Sequence, residues 1–204
     1  MTRQNISATI ALIAVLAIVG TSPAVSQAGE QGIAAAVSPL PEELRESAAV
    51  MDWKKDGSLT ELRSGSGDMI CLADKAGDER FHAACYHRDL EPFMARGREL
   101  KAEGLERDDV RAKRAEEIEA GTLTMPDGPR ALYSLTGKLE GYDFDNSSLV
   151  QGNRLFVMYV PYATEASTGL AAKPMVAAAP WLMDPGTPWA HVMIVQQVGE
   201  KPTD

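Results

Sequence analysis

The chain has 204 residues, 45% of them hydrophobic and 24% charged, and its 29 acidic side chains outnumber 20 basic ones for a formal net charge of −9. A chain this acidic is repelled by phosphate backbones and anionic lipid, which argues against nucleic acid or a membrane surface as its partner. The length suits one domain with a sizeable core.

The first residues read as an export signal. Arg3 is the sole charge before Glu30, Ile10–Val19 is continuously apolar, Gly20 and Pro23 break the run, and Ser26 and Ala28 supply small residues for cleavage. So short a run covers about half of a ~30 Å hydrocarbon core, which favours a cleaved signal over residues 1–28 rather than an anchor. No cysteine sits at the cut to carry a lipid, and nothing later is long enough to span a bilayer. Residues 29–41, small and proline-bearing, read as a flexible lead-in. Residues 42–198 are then a single domain, followed by a polar tail over 199–204.

Within the domain, Pro41–Arg45 can start a short helix, with acids in its first turn. Ala48–Trp53 and Leu59–Arg63 flank Lys55-Asp56-Gly57 and predict a hairpin. Met69–Ala73 is a third strand after the Ser64–Gly67 turn, and Lys75–Arg80 a charged loop. Asp89 to Gly104 predicts a helix with Leu90, Phe93, Gly97 and Leu100 on one face, Gly97 marking a close helix approach. Leu105–Ala120 predicts a second helix, anchored by Val110 and Ile118 and otherwise charged. Its mixed signs read as a solvated face, with Glu103–Arg107 and Asp109–Lys113 as supporting pairs. Arg130–Thr136 is a fourth strand. Leu155–Val160 is the most apolar one, expected to be central. After a long loop of small residues, Tyr162–Pro180, Ala190–Gln197 forms a sixth. The fold class expected is α+β, a mostly antiparallel sheet of about six strands with one or two helices from the middle of the chain packed on it.

Cys71 and Cys85 are the two cysteines, and in an oxidising compartment they predict a disulfide. The rival is a catalytic thiolate at Cys85, flanked by His82 and His87. A soft copper site combining histidines with Met158, Met183 and Met193 lacks any ligand spacing, so no metal and no cofactor is expected. Asp143-Phe-Asp145 resembles the start of a calcium loop, but Ser148 and Arg154 stand where glycine and glutamate are required. No Gly-x-Ser-x-Gly, phosphate-cradling loop, Cys-x-x-Cys or His-Glu-x-x-His occurs.

The remaining candidate is the stretch Trp181–Val195, where two of the three tryptophans and one histidine surround an Asp-Pro-Gly-Thr-Pro turn. That turn delivers His191 onto the start of an apolar strand, expected to be buried. Catalytic candidates are His191, Asp184, Ser167 and Tyr162, and ligand-binding candidates Trp181, Trp189, Tyr162, Thr164 and His191. The bland alternative is an imidazole bonded to backbone, neutral and locking the turn. Cys71-Leu-Ala, Val160-Pro-Tyr-Ala-Thr-Glu-Ala-Ser-Thr-Gly-Leu170 and Pro180-Trp-Leu-Met-Asp-Pro-Gly-Thr-Pro-Trp-Ala-His-Val-Met-Ile194 resemble a group of uncharacterised exported bacterial proteins. The resemblance spans about Leu40 to Val195, is weakest over the charged helix, and implies export and a single domain without supplying a catalytic residue. The function expected is an exported, non-enzymatic domain that binds a small ligand or a protein partner, or serves a structural role. The alternative is a hydrolase-like enzyme with His191 as general base in a cleft formed with the 162–180 loop.

Overall fold

Eight strands make one sheet in the order β2-β1-β3-β4-β5-β8-β10-β9, and helices cover both of its faces. The computed structural model describes residues 27–199; the export signal expected over 1–28, but for its last two residues, and the expected polar tail beyond Gly199 lie outside them. Strand β1 (Ala49–Trp53) pairs antiparallel with β2 (Leu59–Arg63) and parallel with β3 (Met69–Leu72). Every other ladder is antiparallel, through β4 (Arg80–His87), β5 (Arg130–Lys138), β8 (Gly152–Tyr159), β10 (His191–Val198) and β9 (Trp181–Met183). A separate two-stranded ribbon, β6 (Tyr142–Asp143) with β7 (Ser148–Leu149), fills the polar region between β5 and β8.

The flexible lead-in expected over 29–41 is corrected by a helix, α1 (Gln27–Val37), whose Ala35, Ala36 and Val37 are buried together with Leu40. Small side chains there permit close approach to the sheet rather than disorder. Ala36 and Val37 pack with Val50, Cys71 and Cys85, and Ala35 with Phe81, Ala83 and Leu135. The short α2 (Glu42–Arg45) follows at the place expected.

Residues 81–88 carried no strand signal, yet β4 is an interior strand between β3 and β5. Its alternation holds for Phe81, Ala83 and Cys85, all buried against α1. Tyr86 points to the opposite face, where its hydroxyl donates to Glu91 and accepts from Arg98. Helix α3 (Glu91–Ala102) lies on that face, with Phe93, Gly97 and Leu100 buried as expected. Helix α4 (Arg107–Glu119) packs against α3. A Cβ added to Gly97 would stand 2.9 Å from the Arg114 guanidinium, so glycine admits that side chain between the helices.

Three further expectations change. Val110 on α4 is only 2% exposed, so the charged helix is anchored in the core rather than merely solvated. Its ion pairs join Glu117 to Arg96 of α3, Lys113 to Glu116 and Arg111 to Asp184, in place of the two pairs read from spacing. Strand β10 is not buried: Ile194 is exposed, as is Met158 opposite Val192 on β8. β8 is interior to the sheet, as expected, but along it Val157 alone is fully buried.

Cys71 and Cys85 face each other across the β3–β4 ladder and form a disulfide, their Cα atoms 4.0 Å apart. Both are completely buried. Among the described residues, no helix is long and apolar enough to cross a membrane.

Candidate functional site

The turn between β9 and β10 is held by bonds to the chain that precedes it. The Thr187 hydroxyl donates to the Asp184 carbonyl at 2.8 Å, the Gly186 amide to Ala163, and the Tyr162 amide back to Thr187. Asp184 and Gly186 adopt left-handed backbone, with φ of 54° and 77°. Glycine takes that conformation freely, whereas an aspartate there is uncommon and held by its surroundings. The long loop does lead into the turn, as expected, and it braces the turn from behind through its backbone.

Out of this turn come Trp189 and His191. The His191 Nδ1–H donates to the Trp189 carbonyl at 2.7 Å, which fixes the tautomer: a carbonyl accepts only, so the proton sits on Nδ1. Nε2 then carries a lone pair, and no described residue bonds to it. Burial holds the imidazole below its ordinary pKa; the Trp189 carbonyl and Asp184 work in the other direction. The ring is therefore neutral at pH 7. His191 thus meets the backbone-locking expectation at one nitrogen and leaves the other free.

Opposite lies the α3–α4 pair. Its approach leaves a cleft of 290 Å³ lined by His191, Trp189, Asp184 and Met183 on the turn side, Tyr159 beneath, and residues of both helices above. Phe93 stacks on Trp189, with ring centres 6.1 Å apart, and meets Tyr159 edge-on. Tyr159 in turn lies 5.0 Å from the His191 ring. Burial pushes the Tyr159 phenol up to about 12, so it stays protonated.

The helical wall is cationic. Arg107, Arg111 and Arg114 fall on one side of α4, and Lys101 joins them from the last turn of α3. Arg111 forms an ion pair with Asp184, tying the helix to the turn. The Arg114 guanidinium lies 3.8 Å from the Phe93 ring centre and donates to the Phe93 carbonyl, with no carboxylate in reach. Burial lowers its pKa from the usual arginine value. Two lining residues keep a buried N–H without a partner, Arg114 at Nε and Trp189 at Nε1. Buried donors are nearly always satisfied in folded proteins, so two beside one cleft mark an incomplete hydrogen-bond set.

Of the residues picked from sequence, His191, Asp184 and Trp189 meet here. Ser167 and Thr164 do not line the cleft. They cap α5 (Glu165–Thr168), the Thr164 amide donating to Ser167 Oγ and the Ser167 amide to Thr164 Oγ1. Tyr162 is 60% exposed, and Trp181 lies on β9 outside the cleft lining. The sequence reading missed Tyr159 and the four cations. For the three arginines a signal was present: Arg107, Val110, Arg111 and Arg114 fall at i, i+3, i+4 and i+7, one face of a helix. Reading the charges as mixed hid a segregated cationic stripe.

The disulfide removes the thiolate reading of Cys85. His87 caps a 3₁₀ turn over Arg88–Leu90, its Nδ1 accepting from the Asp89 amide. Among the described residues, no three or more His, Cys, Asp or Glu side chains are grouped to hold a metal. Comparison with protein-family models, curated proteins and solved structures finds no match, so the chemistry of the site rests on its own geometry.

Proposed function

We propose that this is an exported, disulfide-stapled binding domain whose ligand occupies the cleft between α3–α4 and the β9–β10 turn, and that it is not an enzyme. Export rests on the amino-terminal signal pattern, on the resemblance of the Trp181–Ile194 stretch, and on a disulfide that suits an oxidising compartment. The binding reading is carried by one observation: the free lone pair of His191 and four cations line one aromatic-walled cleft, and among the described residues Arg111 alone of the four has a carboxylate partner. Aromatic walls with a few convergent polar groups are the common build of a small-molecule site.

The hydrolase alternative has His191 as general base beside Ser167, Tyr162 or Asp184; Asp184 does share the cleft, but it is ion-paired with Arg111. Ser167 is spent on a helix cap and Tyr162 lies exposed outside the cleft, which favours binding over catalysis. A thermal-shift screen of the signal-free protein against a chemically broad metabolite library tests the proposal. A compound that raises Tm in the wild type, with the effect lost in Trp189→Ala or His191→Ala, is the expected result. Stabilisation indifferent to both substitutions, or turnover of an ester by His191, would overturn it.

A further inference from the structure

Resting on that ligand-site reading, we infer that the ligand is a small organic anion whose carboxylate or phosphoryl group replaces the Asp184 carboxylate on Arg111, its apolar part lying against Trp189 and Tyr159. The cleft holds far more donors than acceptors. Lys101, Arg107, Arg111 and Arg114 offer N–H groups, while Asp184 and the His191 Nε2 are the side-chain groups there that only accept. What such a site lacks is oxygen lone pairs bearing negative charge, and an oxyanion supplies both. Among the described residues, Arg111 is the one cation of the four that is ion-paired; the other three have no carboxylate within reach.

Asp184 shows how an oxyanion would bind. Its carboxylate reaches Arg111 from a left-handed backbone position, so an internal group occupies the seat at the expense of local conformation. An arginine fork binds a carboxylate or a phosphate in the same planar manner, and an incoming ligand need only exchange with Asp184. The volume, 290 Å³, is at the low end of the ~300–1,000 Å³ range of small-molecule pockets, which limits the ligand to a single ring or its equivalent.

The test uses benzoate, phenyl phosphate and neutral benzyl alcohol as probes of matched apolar body. Binding is read from the His191 ring and Trp189 indole NMR signals in wild type, Asp184→Asn and Arg111→Gln. Asparagine is at ease in left-handed backbone, and melting curves check that both variants fold. Benzoate or phenyl phosphate, or both, should move these signals, and which one does identifies the oxyanion. Asp184→Asn should tighten binding by about five-fold by removing the internal competitor, and Arg111→Gln should weaken it by about ten-fold. Benzyl alcohol binding as tightly as benzoate, insensitive to either substitution, would leave the ligand site standing and overturn the anion. Failure of all three probes to move either ring would also overturn the inference, while the unbiased screen separately judges whether the cleft binds anything.

Discussion

His191 couples the site to pH. Its folded-state pKa is held below the unfolded value of about 6.5, first by burial, with Arg111 acting in the same sense and Asp184 and the Trp189 carbonyl opposing. The other groups around it are Arg107, Arg114, Lys101 and the neutral Tyr159 phenol. Above pH 6.5 the ring is neutral in folded and unfolded chains alike, so it costs nothing. As pH falls through 6.5 the unfolded chain takes up the proton first, and stability drops until the folded pKa is passed. The His191 Cε1–H resonance should therefore titrate with a midpoint below that of an exposed histidine. Between pH 7 and pH 5 the wild type should lose more stability in chemical denaturation than His191→Gln does. A midpoint at or above 6.5 would refute the burial of the ring. The side chain was picked out by sequence because a turn fixed its approach. Arg111 on α4 was not, because its partner Asp184 is over seventy residues away and nothing local to either segment announces the pair.

The charged helix α4 is where local reading and packing diverge most. A segment with few apolar residues reads as solvated, but a single side chain can anchor it if it enters the core, and Val110 does so. Val110 and Val157 are 2% and 6% exposed. Truncating either to alanine should thus cost a similar ~1–3 kcal/mol, where sequence alone puts the helix position far below the strand position. Denaturant melts of the two variants decide the matter, and a Val110→Ala loss within a few tenths of zero would restore the peripheral helix. Strands β1, β2, β3, β5, β8 and β10 were legible because turn residues flank apolar or alternating runs. β4 was not: Arg80-Phe-His-Ala-Ala-Cys-Tyr-His87 alternates, but alanine at its middle positions weakens the strand signal, and the helical pattern beginning at Asp89 overshadows it. β9 is three residues long and borrows its strand character from β10.

At the scale of the molecule, the sheet is a near-sequential meander, stapled once where α1 presses on β3 and β4. Purified from an oxidising compartment, the protein should yield no free thiol when unfolded without reductant. Replacing both cysteines by alanine should cost roughly 3 kcal/mol, as a disulfide across 14 residues of sequence does in the loop-entropy picture. Two titratable thiols would refute the staple and revive the metal-binding and nucleophilic roles of Cys85. Strand order was beyond sequence reading, since hydrophobic pattern names strands but not their neighbours; the parallel β1–β3 pair carries no local mark. The placement of β10 has a further consequence. Among the described residues it is the last strand in chain order, yet it is inserted between β8 and β9, and β9 pairs with no other described strand. Without β10, the β8 edge is open and β9 has no partner among the described strands. A chain interrupted before residue 191 keeps that unpaired edge beside exposed Met158, the kind of surface that proteases and aggregation act on.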